Sequence, residues 1–406
     1  MKACGLIVEY NPFHNGHAYH IEAARKKSAA DCIVAVMSGN FLQRGEPAMI
    51  DKYTRAKAAL QSGVDLIIEL PYLYAVQNSD IFARGAVSLL HEAGVSSICF
   101  GSESGIIDHF KDSYRAVQRN EFAYKTELKA RLSEGLSFPE ASRHAYASIG
   151  VSSGADLTKP NNILGFSYMK AIYDQNLPIE PLTIGRKNNQ FHDTTITGNI
   201  TSATSIRKQL LKEDNPLSSI KHTIPEVTRS GLHQYKQTTG KWHEWELYFP
   251  LIHYRVLTMS ETELRQIHGI DEGIEHRIKK YAKNVTSMYE WIQLIKTKRY
   301  TWTRIQRMFT HILTNTKKQH MKELNQEKAS PYLRILGFTQ KGQTFLKEKR
   351  KKRTAQVIFN LKKSNHPLLI ADERAVRAYY SVLTPFYQKQ LFQQEFSPPI
   401  RAGKSN

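Results

Sequence analysis

Within its first hundred residues the chain sets four short runs, each apolar along nearly its whole length, against three segments of helical length. The runs are 3–9 (ACGLIVE), 32–37 (CIVAVM), 64–70 (VDLIIEL) and 95–101 (VSSICFG), and helical patterns fall at about 17–30, 51–62 and 79–93. A strand with one wet face alternates apolar and polar residues, whereas a strand apolar throughout is covered on both faces. Buried strands joined by helix-length segments require a parallel sheet with helices on either side. The pattern therefore predicts an α/β, Rossmann-like first half. Helical patterns continue through 105–148, the KPNN turn at 159–162 opens another helix, and 179–185 reads as a strand. Residues 201–211 (TSATSIRKQLL) read as a helix with hydroxyl residues at its start. Beyond the EDNP turn at 213–216 the chain becomes mostly helical. A length of 406 residues exceeds one ordinary core, so the expectation is two domains, 1–213 and 214–406.

Charge divides at the same place. Residues 1–213 carry 23 basic and 21 acidic side chains, and residues 214–406 carry 34 and 16. A near-neutral half joined to a strongly basic one points to chemistry in the first and a polyanion partner for the second. A solubilising basic face is the plainer alternative. No run approaches the roughly 18 apolar residues of a membrane span, and the N-terminus lacks a signal-peptide cleavage pattern, so no membrane partner is expected. Cys4, Cys32 and Cys99 each sit in an apolar run, with the spacing of neither a disulfide framework nor a metal site. Buried free thiols fit a reducing, cytoplasmic setting. The oligomeric state stays open.

The sharpest motif is His14-Asn15-Gly16-His17, placed where the first strand turns into the first helix. That turn lies at the carboxyl edge of a parallel sheet, where ligands bind, and a helix N-terminus there favours phosphate. Gly16 allows close backbone approach, and two imidazoles can donate to phosphate oxygens as charge builds on them. A second motif, Ser202-Ala203-Thr204-Ser205-Ile206-Arg207, offers hydroxyls, amides and a guanidinium at another helix start. Ser/Thr-rich helix starts are usually only caps, but at the end of the α/β region this one would complete a bipartite ATP site.

Together these motifs resemble the HxGH adenylyltransferase superfamily, which includes the class I aminoacyl-tRNA synthetases. The strings VEYNPFHNGH, MSGNFLQRGEPA, LIIELPYLYA, KPNNILGFSY and KTKRYTWTRIQRM are similar to the bacterial tRNA(Met) cytidine acetate ligase family and span most of the chain. The resemblance implies an HxGH nucleotidyltransferase-like ATP-binding domain over 1–213 and a basic tRNA-binding domain over 214–406. ATP and acetate would form acetyl-adenylate, and acetyl would pass to the wobble cytidine in the anticodon loop of elongator methionine tRNA. It further implies an ATP loop made of Ile7, Val8, Glu9, Tyr10, Asn11, Pro12, Phe13, His14, Asn15, Gly16, His17, Ala18, Tyr19 and His20. Gly101, Asn162, Arg186, Lys187 and Ser205 would be further ATP contacts. Where the family has Tyr-His-Asp, this chain has Phe191-His192-Asp193.

His14, His17, Asn40 and Arg207 are the expected catalytic residues, with Mg2+ expected beside the ATP phosphates. Asn40 and Arg44 lie in the loop Ser38–Gly45, assigned to the acyl pocket or the tRNA end. In the second half, Trp302, Ile305, Phe309 and Ile312 recur at helical spacing and should face a core. Arg304, Arg307, His311 and Lys318 form the opposite stripe and are the expected tRNA contacts. Two alternatives remain at this point: a metabolic adenylyltransferase acting on a small phosphorylated acceptor, and a non-catalytic RNA-binding protein that retains a nucleotide fold.

Overall fold

Five strands run parallel in the spatial order β5–β4–β1–β2–β3: β1 (Ala3–Val8), β2 (Cys32–Ser38), β3 (Leu66–Leu70), β4 (Ser97–Ser102) and β5 (Glu180–Gly185). The computed structural model describes residues 1–151, 155–186, 201–212, 217–326, 332–361 and 366–403. Between the strands lie α1 (Asn15–Ser28), α2 (Lys52–Gln61), α3 (Tyr72–Ala75) and α4 (Ser79–Ala93). The predicted alternation is borne out to within two residues at every strand end. β2, central in the sheet, is sealed on both faces. Ile33, Ala35 and Met37 pack with Ile21 and Ala24 of α1 and Ala56 and Ala59 of α2 on one side. Val34 and Val36 pack with Ala83, Val87 and Leu90 of α4 on the other. The three cysteines are free and buried in these layers.

The second half does not stay outside the sheet. Helices run from Glu226–Thr239 to Lys318–Gln326, as the sequence leads one to expect. The chain then returns as β6 (Tyr332–Phe338), antiparallel to β3, followed by β7 (Gln356–Ile358) and β8 (Ile400–Arg401), each parallel to β6. The sheet is therefore not confined to 1–213, and the proposed boundary itself falls on residues outside those described.

The reason this return was hidden is Arg334, a charge in the middle of an otherwise apolar strand. Its guanidinium meets Glu69 Oε2 at 3.1 Å and also pairs with Glu395. Lys52 Nζ reaches Glu69 Oε1 at 2.7 Å and Glu395 Oε2 at 2.9 Å. Two cations and two anions thus close a buried ring across α2, β3, β6 and the 393–396 turn. Removing one member would strand an unpaired buried charge, at a cost of about 3–5 kcal/mol.

Candidate active site

The loop from Glu9 to His14 carries β1 into α1 along the carboxyl edge of the sheet. Tyr10 holds a left-handed φ of 52°, an uncommon conformation for an aromatic residue. His14 is the N-cap of α1: Gly16 N–H donates to His14 Nδ1 at 3.0 Å, and His14 N–H donates to His17 Nδ1 at 3.2 Å. The motif is thus a capping box built from two imidazoles, whose rings stack with centroids 3.8 Å apart. With each Nδ1 acting as acceptor, the proton of a neutral ring resides on Nε2. Burial keeps both rings neutral. It pushes His14 down to about 3, helped by Arg186 and Arg207, and His17 well below its usual value, helped by His14, His20 and Arg186. Each Nε2–H remains a donor for a ligand. His20 is likewise lowered to about 4 by burial, and among the described residues its Nε2 is buried without a partner, as are Tyr10 Oη and Asn11 Nδ2. Orphaned polar atoms in this loop and on the helix it opens are what a polar ligand would satisfy.

The opposite wall comes from later in the chain. Arg207, on the helix Ala203–Leu210, donates from Nη1 to Asn11 O at 2.9 Å and lies 3.4 Å from Glu46 Oε2. Ser202 caps that helix through the Ser205 N–H, and its hydroxyl lies 2.9 Å from Ser205 Oγ. Gly101 is at the carboxyl end of β4. Among the described residues a Cβ there would meet only Arg186 Cγ at an ordinary 3.7 Å, so their packing does not demand a glycine and close ligand approach would. Arg186 Nη1 donates to Asn161 Oδ1 at 3.0 Å. Asn162 is more a clasp than a free ligand. Its Oδ1 accepts from Glu103 and Ser104 N–H at 2.9 and 3.2 Å, and its Nδ2 donates to Asp156 O at 3.0 Å. His14, His17, Asn11, Arg186 and Arg207 are therefore brought together at one sheet edge. Lys187 and Phe191-His192-Asp193 lie outside the described residues.

Asn40 is buried: its Oδ1 accepts the Lys52 N–H at 3.1 Å, which ties the Ser38–Gly45 loop to α2, and its Nδ2 is sealed with no partner among the described residues. The basic stripe breaks up. The helix Trp302–Leu313 ends before Lys318, which starts a separate helix and pairs with Asp271 at 2.6 Å. His311 is buried, with Nδ1 2.9 Å from the Tyr72 hydroxyl, because that end of the helix packs on α3. Ile305, Phe309 and Ile312 face the core as expected, and Trp302 packs against it half-buried. Arg304 stacks on Tyr300, 4.1 Å from the ring centroid. Arg307 reaches Gln43 O at 3.5 Å, which puts it beside the 41–47 loop.

Sequence reasoning missed Arg55. Fully buried on α2, it donates to the carbonyls of Glu9 (2.6 Å), Ser38 (3.1 Å) and Gly39, locking the carboxyl ends of β1 and β2 together. Its only signal was a charge among alanines in KYTRAKAAL. Glu9 is tied to the same region by Gln43 N–H, which donates to Oε1 at 2.8 Å.

Residues 1–395 match the HIGH Nucleotidyl Transferase family. The tRNA(Met) cytidine acetate ligase of Oceanobacillus iheyensis is 53% identical over 401 residues, covering 98% of this chain and 100% of that protein. The Bacillus subtilis enzyme of the same name is 44% identical over 406 residues, covering 99% and 97%. Crystal structures of Thermotoga maritima TmcAL superpose with TM-scores of 0.89 for the apo form and 0.88 for the form bound with alpha-thio ATP. Their identities are 31% and 32%, with 99% of each chain covered. A sheet edge capped by HNGH, together with relatives matched from end to end, leaves one conclusion: the chain belongs to the HIGH nucleotidyltransferases and, among them, to the tRNA(Met) cytidine acetate ligase family.

Proposed function

We propose that this protein joins acetate to ATP as acetyl-adenylate and transfers the acetyl group to the N4 amine of the wobble cytidine of elongator tRNA(Met), in the cytoplasm. The observation that carries the reading is the pair of neutral imidazoles at the start of α1, each with Nδ1 committed and Nε2–H available, opposite Arg186 and Arg207. Acetate is ionised at neutral pH and needs no base to attack the α-phosphate. The demand is on the leaving side, where charge grows on pyrophosphate. Neutral N–H donors at a helix N-terminus and a nearby guanidinium answer it without reorganising.

Among the described residues no group of three or more His, Cys, Asp or Glu side chains could hold a metal ion. Mg2+ would therefore enter with the phosphates of ATP, as part of the substrate. No described helix is long and apolar enough to cross a membrane. A small-acceptor adenylyltransferase would leave the basic second half without a task, and a non-catalytic binder would not need intact donors at His14 and His17. The test is mass spectrometry of nucleosides from tRNA incubated with enzyme, ATP and isotopically labelled acetate. Labelled N4-acetylcytidine with AMP and pyrophosphate is the expected result; ADP as product, or no label in cytidine, would overturn it.

A further inference from the structure

Acetyl transfer sheds a proton. As cytidine N4 bonds to the acetyl carbon, the bond from that carbon to the adenylate oxygen breaks, AMP leaves with the electron pair, and one N4 proton must go elsewhere. The cytosine amine is weakly basic because its lone pair is delocalised into the ring, so a positioned acceptor matters more here than for an ordinary amine. We propose that Glu9 is the general base of this step, receiving the N4 proton on its free carboxylate oxygen. The assignment rests on the acetate-ligase reading above.

Position comes first. Glu9 is the first residue beyond β1, central in the sheet, between the histidine loop and the 41–47 loop. Its backbone is held by Arg55 and its Oε1 by Gln43 N–H, so the carboxylate is fixed from two sides. Among the described residues no hydrogen bond reaches Oε2, which leaves that oxygen available to a ligand. The groups facing it are Gln43, Arg44 and Glu46 from the loop, Arg55 from α2, Arg207 from the helix Ala203–Leu210, and Tyr168 from the helix Pro160–Asp174. Burial raises its pKa, against the lowering effects of the Gln43 N–H, Arg44 and Arg207, and so makes it a better proton acceptor.

The neighbours are poorer candidates. His14 and His17 have committed their Nδ1 lone pairs to backbone N–H groups, and burial makes them very weak bases. Glu46 is engaged by Arg207. Glu69 and Glu395 belong to the buried ring with Lys52 and Arg334.

Glu9→Gln keeps an Oε1 acceptor for the Gln43 N–H and removes only the basic oxygen. Two measurements on the full-length variant decide the matter: acetate-dependent ATP–pyrophosphate exchange, and single-turnover transfer from isolated acetyl-adenylate to tRNA(Met) across the pH range. Transfer should fall by about 100-fold or more, at least about tenfold beyond any loss of exchange, and the acid limb of its pH profile should vanish. Glu9→Asp should retain that limb at a reduced rate. If Glu9→Gln lowers exchange and transfer equally, or keeps the wild-type acid limb, Glu9 is not the base. Wild-type enzyme that makes no N4-acetylcytidine would instead remove the acetate-ligase reading, and that control is read separately.

Discussion

His14 donates its backbone N–H to Nδ1 of His17, so the two histidines of the motif are coupled through the cap of α1 before any ligand arrives. The same bond that starts the helix sets the ring tautomer. Structure and chemistry therefore share atoms, and an alanine substitution would disturb both.

A substitution that separates them is His14→Asn. Asparagine is among the best N-cap residues and can accept from the helix N–H groups, so stability should change by no more than about 1 kcal/mol. It cannot present the stacked Nε2–H, and acetate-dependent pyrophosphate exchange should fall by about 100-fold, on the order of 3 kcal/mol of transition-state stabilisation. Thermal melts and exchange on the same preparation check this. Near-normal exchange in His14→Asn would mean that Nε2 does not serve the phosphates.

Acid should destabilise the fold from the upper end of the histidine range. Burial lowers His14 and His243 to about 3, and His20 and His268 to about 4, from an ordinary 6.5. Between those values the unfolded chain binds protons that the folded chain refuses. The stabilisation is therefore complete above pH 6.5 and is lost as pH falls toward the folded values. Each such histidine contributes a slope of up to about 1.4 kcal/mol per pH unit in that window. His243 lies between the Tyr235 and Tyr248 hydroxyls at 2.7 and 2.6 Å, and glutamine can bond to both. His243→Gln should flatten the decline of Tm with falling pH; an unchanged slope would show that His243 is not held neutral.

Gly45 should tolerate no side chain. Its φ is +93°, and a Cβ would come within 2.6 Å of the Arg307 backbone nitrogen. Backbone cannot step aside as a flexible side chain can. Gly45→Ala should lose about 1–3 kcal/mol and loosen the 41–47 loop against the helix Trp302–Leu313. Chemical denaturation measures the first effect. Wild-type stability would mean that loop and helix are not in fixed contact.

The sheet and the histidine turn were legible because apolar runs and an N-terminal helix motif are local properties. β6 was not: YLRILGF reads as a strand interrupted by a charge, and only the fold brings Glu69 and Glu395 to Arg334. The basic stripe was misread for a related reason. Spacing of 7 and 14 residues keeps a face only while one helix continues, and this one stops at Leu313. Burial then separates residues that share a face: His311 meets Tyr72, whereas Arg304 sits over Tyr300. Arg55 gave no motif at all, because its partners are backbone carbonyls distant in sequence.

That division sharpens the expectation for tRNA. Arg307 reaches the Ser38–Gly45 loop at Gln43 O and Arg304 lies near it over the Tyr300 ring, whereas Lys318 pairs with Asp271. Burial, with Arg304 and Arg44 nearby, lowers Arg307 to about 10, still charged at neutral pH and, among the described residues, without an anion beside it. A phosphate would relieve that repulsion. Replacing Arg304 and Arg307 together with Ala should weaken tRNA(Met) binding and acetyl transfer far more than acetate-dependent pyrophosphate exchange. If each contacts one phosphate, the slope of log affinity against log salt should flatten by roughly 1.4–1.8 for the pair. Lys318→Ala should leave both affinity and slope near wild type. Filter binding over a salt series gives affinity and slope, and acetyl transfer and pyrophosphate exchange are measured on the same preparations. An unchanged slope in the double variant, or an equal loss from Lys318→Ala, would move the RNA surface away from this loop, with the 347–353 run KEKRKKR the next place to look.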